Sequence, residues 1–298
     1  MTGETQGAET QGAETQGGGK QGGGAVDGYL ARLGFAARPA PTAATLVELQ
    51  RRHLDAVPYE NLAIMLGRPD PAAGQQTLER IASGGNAGYC FHHNGAFEVV
   101  LRALGFTVER RLGHVQGRPV PLLNHLVLLV TVDGRRWWPD LGLGDALRDP
   151  VELADGQIRQ GPFRYAISSV SAEGGWTFRH DPAAGSFPAL DVLARVPSDA
   201  EIADAHGVLS TPPEGRFTRV LVVQRRDRTG ADVLRGVRYQ RAGDGPFTRD
   251  LVRYDDWRSV LVSLGVRLDG AGDAELRSLH ARMLAAHQER TRAEDEDP

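Results

Sequence analysis

Cys90 is the only cysteine among 298 residues, so no internal disulfide can form. Its thiol is then either a small buried hydrophobe or a reactive thiolate. It follows the glycine-rich run Gly84-Gly85-Asn86-Ala87-Gly88-Tyr89 and opens a segment in which Phe97, Val100, Leu101 and Leu104 recur at helical spacing up to Gly105. A thiol in the first turn of such a helix meets unpaired N–H groups and the positive end of the macrodipole, which favour the anion. Asn86 is placed to cap that helix.

A thiolate nucleophile needs a base to take its proton and a group to orient that base. One hairpin offers both. Leu123 to Val132 reads as a buried strand, Asp133-Gly134 as a two-residue turn, and Arg135 to Leu141 as the returning strand. With that turn Val132 pairs with Arg135, which puts His125 opposite Gly142 and Val127 opposite Asp140. His125 and Asp140 then share a face, diagonal to each other, with Cα atoms roughly 7–8 Å apart. The aspartate would fix the imidazole tautomer and leave the other ring nitrogen for the thiol. From the residues alone, a Cys90–His125–Asp140 triad and a satisfied core histidine stand as alternatives. His93, three residues after Cys90, is a competing base, although no carboxylate at suitable spacing orients it. His92 points elsewhere and reads as structural. Cys90, His92, His93 and His125 lack any metal-ligand spacing, so no metal site is expected. His114, His180 and His206 have no evident partner in the pattern. Gly142-Leu143-Gly144 is too short for a dinucleotide fingerprint and reads as a tight strand exit where a backbone or ligand comes close.

The elements that must position these residues change character along the chain. Residues 1–25 repeat Glu4-Thr5-Gln6-Gly7-Ala8 at Glu9 and Glu14 and end in glycines, a low-complexity tail expected to be disordered. Residues 26–105 read as a helical part carrying the nucleophile, and 106–205 as short alternating strands of a barrel carrying the histidine and aspartate. Residues 206–290 mix strands and helices, and 291–298 form an acidic tail. The class is α+β. Hydrophobic residues make up 41% and charged ones 24%, an ordinary globular balance. The net charge of −4 and the absence of a basic stripe give no case for nucleic acid. Lys20 is the sole lysine; with abundant Ala, Gly, Pro and Asp, the arginine bias fits a GC-rich bacterial coding sequence. No apolar run reaches the roughly 18–20 residues that span a bilayer. No secretory pattern opens the chain, so a reduced, cytoplasmic compartment without membrane contact is expected. Nothing sets the oligomeric state.

Several segments together resemble the arylamine N-acetyltransferase family, from about Val26 to Leu264. Arg52-His53-Leu54-Asp55-Ala56-Val57-Pro58-Tyr59-Glu60-Asn61-Leu62 is similar to its His-x-x-x-(Ile/Val)-Pro-Phe-Glu-Asn signature. Gly88-Tyr89-Cys90-Phe91 with Asn94 resembles the nucleophile motif. Asn124 to Leu129 and Pro139 to Gly144 resemble the segments bearing its histidine and aspartate, and Leu209-Ser210-Thr211-Pro212 with Phe217 a later one. The resemblance implies a helical bundle, a β-barrel and an α/β lid around a core like that of papain-type cysteine proteases. It also implies a Cys90–His125–Asp140 triad. Acetyl-CoA, or another acyl-CoA, would be co-substrate in ping-pong transfer to an arylamine, hydrazine or related amine, with no permanently bound cofactor. Asn124, Gly142 and Gly144 are the candidates for contacting the thioester. The chain departs from the pattern at Asn86 and Ala87, where the family has Arg-Gly, at His92, where it has Glu or Gln, and at Gly215, where it has Ser, with Arg216 following. Those changes suit a branch that forms amides from larger acyl thioesters in natural-product biosynthesis. A thiol hydrolase and a non-catalytic small-molecule-binding relative are the remaining alternatives.

Overall fold

In the computed structural model, which describes residues 18–116, 123–183, 185–213 and 215–296, the chain opens with helices. Helix α1 (Gly18–Arg32) buries Val26, Tyr29 and Leu30, and it reaches back into the glycine-rich run expected to be a disordered tail. Its docked end explains this: Arg38 pairs with Asp27 and donates to the Gly23 carbonyl, fixing the turn before the buried residues. The repeat in residues 1–17 lies outside the described residues. Helix α2 (Ala43–Ala56) starts where the Thr42 hydroxyl accepts the Thr45 N–H, and turns Leu46, Leu49, Gln50, His53 and Leu54 inward. Then come β1 (Tyr59–Glu60), α3 (Leu62–Met65), α4 (Gly74–Ala82) and α5 (Cys90–Ala103).

Next is a curled eight-stranded antiparallel sheet in the place of the expected barrel. It comprises β2 (Thr107–Val115), β3 (His125–Val132), β4 (Arg135–Trp138), β5 (Val151–Glu152), β6 (Gly156–Gln160), β7 (Phe163–Ser168), β8 (Trp176–Arg179) and β9 (Ala189–Val192), in the order β5-β4-β3-β2-β9-β8-β7-β6. Strand β3 is covered on both faces, which is why it is apolar without alternation. Leu128, Val130 and Val132 pack with the helices, whereas Val127 and Leu129 join Trp138, Phe178 and Leu190 on the other side.

Helix α6 (Asp199–Ser210) begins with a Ser198–Glu201 capping box and leads to a 3-10 turn, Arg216–Thr218. A second antiparallel sheet, β1-β10-β11-β12-β13, contains β10 (Val222–Arg226), β11 (Gly230–Arg235), β12 (Arg238–Gly243) and β13 (Phe247–Asp250). Its edge strand β1 comes from the helical segment, so Tyr59 lies opposite Gln224. Helices α7 (Tyr254–Ser263) and α8 (Asp273–Glu296) close the core around Trp257, Leu261 and Leu279. Helix α8 continues past residue 290, where the composition places an acidic tail. The class is α+β, as expected. Among the described residues no helix is long and apolar enough to cross a membrane.

Candidate active site

Cys90 is the first residue of α5 and is buried. Tyr89 occupies the cap position in extended conformation, and its N–H points to His92 Nδ1 at 3.4 Å. His92 Nε2 donates to the Asp70 carbonyl at 3.1 Å, so both ring nitrogens serve the loop. Burial drops its pKa to about 3 and keeps it neutral. Asn86 does not cap α5, because Ala87, Gly88 and Tyr89 separate it from the first turn. Its amide instead bonds the backbone N–H and C=O of Arg267, both at 2.8 Å. Glu60, buried beside the same loop, donates its N–H to the Gly88 carbonyl, and its carboxylate accepts the Leu62 N–H. Burial raises the Glu60 pKa to about 7.

The hairpin has the expected turn and register over its paired length. Asp133 and Gly134 both have positive φ, and Val132, Thr131 and Val130 lie opposite Arg135, Arg136 and Trp137. The ladder stops there. Pro139 has no N–H to donate, β4 ends at Trp138, and the pairs His125–Gly142 and Val127–Asp140 do not form. His125 pairs instead with Gly113 on β2. The chain leaving β4 brings Asp140 directly to the ring, and His125 Nε2 donates to Asp140 Oδ2 at 2.7 Å.

Three further groups hold that carboxylate, and a fourth holds the Asp140 backbone. Trp138 Nε1 donates to Oδ2 at 3.2 Å; the Gly142 N–H donates to Oδ1 at 2.7 Å and Asn94 Nδ2 at 3.4 Å. The Gln50 side-chain oxygen accepts the Asp140 N–H at 3.0 Å. With Nε2 committed to Asp140, Nδ1 of His125 is left for Cys90, which lies within hydrogen-bonding reach of the ring. Burial disfavours charge on His125, but the charge and hydrogen bond of Asp140, helped by Cys90, outweigh it and raise its pKa to about 10. The imidazole is therefore cationic at neutral pH, the state that partners a thiolate. Gln50 and Trp138 carried no signal in the sequence, since each is set by a contact distant in the chain or by the bend at Pro139.

His93 is committed elsewhere. Its Nε2 lies 3.0 Å from the Gly88 carbonyl, which can only accept, so Nε2 carries the proton. His93 Nδ1 must then accept from His53 Nε2 at 2.8 Å, and His53 Nδ1 from the Tyr29 hydroxyl at 2.8 Å. Burial lowers both imidazole pKa values, His93 to about 4. The relay Tyr29–His53–His93–Gly88 is thus neutral and braces the loop before Cys90. His206, without an evident partner in the sequence, accepts from the Tyr89 hydroxyl at 2.7 Å, and His180 Nδ1 bonds the Asp181 carbonyl. Among the described residues no group of three His, Cys, Asp or Glu side chains is arranged to hold a metal ion.

A cavity of about 370 Å³ lies over Cys90 and His125, walled by Leu143, Phe187 and Phe217 and by Tyr59 with the β10–β12 face. Asn124 lines it, but its side-chain oxygen accepts the Val115 N–H at 2.8 Å, while its carbonyl sits 3.7 Å from Cys90 Sγ. Gly142 also lines it, and a Cβ there would lie 2.6 Å from both Cα and Cβ of Cys90. Gly144 is not among the lining residues. Its φ of +67° and the Gln224 side chain, 2.0 Å from where a Cβ would be, require glycine there.

A helix-borne thiol facing a histidine on an adjoining antiparallel sheet, with an aspartate from the chain just beyond the next strand, defines a papain-like core. The crystal structure of Nocardia farcinica arylamine N-acetyltransferase superposes with a TM-score of 0.76 at 28% identity, covering 87% of this chain and 95% of that one. A family model described as N-acetyltransferase matches residues 42–271. The chain belongs to the arylamine N-acetyltransferase family. It is 37% identical over 142 residues to the arylamine N-acetyltransferase of Mycolicibacterium smegmatis, covering 45% of this chain and 52% of that protein. It is 32% identical over 137 residues to proansamycin X synthase of Amycolatopsis mediterranei, covering 43% and 52%. The matched segment thus spans about half the length of these curated relatives.

Proposed function

We propose that the protein is a cysteine-dependent N-acyltransferase that moves an acetyl group from acetyl-CoA to an arylamine, hydrazine or related amine by a ping-pong route. The observation that carries this reading is the buried Cys90–His125–Asp140 arrangement opening on one cavity. The Cys90 thiolate attacks the thioester carbonyl carbon, and the tetrahedral oxyanion forms beside the Cys90 and Phe91 N–H groups at the start of α5, which have no acceptor within the helix. The C–S bond to CoA breaks, and the His125 imidazolium protonates the departing thiolate. The amine then attacks the Cys90 thioester, His125 takes the proton that nitrogen loses, and Cys90 leaves as thiolate. Asp140 holds the ring and its charge through both halves. Asn124 and Gly142 flank the thioester, and acetyl-CoA visits as co-substrate.

Intact-mass analysis after incubation with acetyl-CoA tests the reading. One acetyl adduct on Cys90 is expected, absent in Cys90→Ser and formed far more slowly in His125→Ala; no adduct from any thioester refutes it. The likeness to proansamycin X synthase and the altered residues Asn86, Ala87 and His92 support a second reading, an amide synthase taking a larger acyl chain. Acylation by long-chain thioesters but not by acetyl-CoA selects that one.

A further inference from the structure

The cavity over Cys90 carries positive charge that acyl transfer does not itself use. Arg216, from the 3-10 turn, and Arg235, at the end of β11, both line it. Cross-strand register explains the placement of Arg235. It lies opposite Val222 of β10, and two residues earlier Val233 lies between Gln224 and Gln240, so these side chains share one sheet face. Among the described residues lining the cavity there is no aspartate or glutamate.

Neighbouring arginines are neutralised. Arg238, opposite Arg235 on β12, pairs with Asp250 at 3.0 Å, and Arg241 with Asp227 and Asp232 at 2.9 and 2.6 Å. Arg216 and Arg235 have no such carboxylate among the described residues. The charged groups acting most on them are other arginines, Arg235 on Arg216 and Arg290 on Arg235. Loss of solvent first, and these like charges second, lower both guanidinium pKa values, yet arginine stays cationic throughout the working pH range. Arg216 is half-buried against Phe217, so it is a cation short of solvent and short of a counterion. Arg235 is the more exposed of the two and Arg216 is half-buried, whereas Cys90 and His125 are buried, so the pair stands on the solvent side of the reacting atoms.

We propose that Arg216 and Arg235 form an anion-binding subsite of this cavity, and that one of the two substrates presents a carboxylate or phosphate to it while its reacting atom lies at Cys90. This rests on the acyl-transfer reading above. The planar guanidinium forks suit either oxyanion. The anion has two possible sources, an acid group on the amine or the phosphates of the CoA donor.

Two arms of one kinetic experiment separate them. In the first, 4-aminobenzoate is compared with its methyl ester as acceptor. In the second, acetyl-CoA is compared with the uncharged acetyl thioester of N-acetylcysteamine as donor. Each is run on the wild type, on the Arg216→Gln/Arg235→Gln double variant and on the corresponding double lysine variant. In at least one arm the charged substrate is expected to be favoured tenfold or more in kcat/KM. That ratio should fall below threefold in the glutamine variant and be largely kept in the lysine variant, which a general folding defect would not produce. Equal use of charged and neutral substrates in both wild-type arms overturns the subsite, as does a preference that survives in the glutamine variant. Intact mass distinguishes the two readings: no acyl group on Cys90 from any thioester refutes acyl transfer itself, whereas acylation without charge preference refutes the subsite alone.

Discussion

Replacing Asp140 with asparagine removes one charge while keeping size, and the surrounding donors make its outcome calculable. Moving His125 from 6.5 to about 10 corresponds to roughly 5 kcal/mol in favour of the imidazolium. The sign follows directly. The raised pKa keeps the ring charged up to about pH 10, and the thiolate is partnered over that range. In Asp140→Asn the burial that opposes charge is unanswered, the imidazole becomes neutral, and Cys90 loses its cationic partner. Without that cation beside it the sulfur is a poorer nucleophile, and alkylation at pH 6–8 is expected to slow on the order of tenfold. The amide is also misfitted wherever it turns. At the Oδ1 position its NH₂ meets the Gly142 N–H and Asn94 Nδ2; at the Oδ2 position it meets the Trp138 N–H. The second orientation forces His125 Nε2 to accept, which sends the ring proton to the thiol side, the wrong tautomer for a base. Turnover is therefore expected to fall further than alkylation, by about 10⁴. Pseudo-first-order alkylation by iodoacetamide between pH 5 and 10 is the assay. The wild type should react readily at pH 6–7, and the variant should be slower at each of those pH values. A variant that stays within threefold of wild type across pH 6–8 refutes the argument.

Gly142→Ala places a methyl group 2.6 Å from Cys90 Cα and Cβ; displacing the nucleophile by even about 1 Å is expected to lower kcat/KM roughly 100-fold, read by steady-state kinetics. Glu60 binds its proton more tightly when folded, with a pKa of about 7, so its ionisation removes stability as pH rises from the ordinary carboxyl range through 7. Thermal unfolding of Glu60→Gln should therefore show a gain of up to roughly 3 kcal/mol over wild type at pH 8 that vanishes at pH 4; an equal difference at both pH values contradicts this. Tyr29→Phe leaves His53 Nδ1 without its donor and should cost about 1–3 kcal/mol in denaturant unfolding while the Cys90 alkylation rate holds.

The hairpin was legible because Asp133-Gly134 is a strong turn signal and strand periodicity carries its register outward. His125 and Asp140 do meet, but by a path other than the register implied. Pro139 ends the ladder, and a bend rather than a diagonal contact delivers Asp140 to His125. The start of α5 was legible from spacing and glycine. The role of His93 was not, because its partners His53 and Tyr29 come from two other helices and leave no local pattern. The glycine-rich end of α1 misled for a related reason: composition weighs a segment alone, whereas Arg38 reaches it from outside. Arg216 stood out only as the neighbour of a changed residue. Its place in the cavity depends on a sheet that joins β1 to β10, two segments far apart in the chain.

That shared sheet also sets the order in which the protein can be completed during synthesis. Cys90, His125 and Asp140 all precede the strands from Val222 to Gly243, against which Tyr59 pairs and which wall the cavity. Until those strands have emerged, the cavity over the thiol lacks its far wall. A truncation before Val222 would leave the same half-built state permanently: a nucleophile without the enclosure that selects its substrates. If the carboxy-terminal strands cover the cysteine as well as wall the cavity, iodoacetamide should alkylate such a fragment faster than the whole chain; equal rates contradict this.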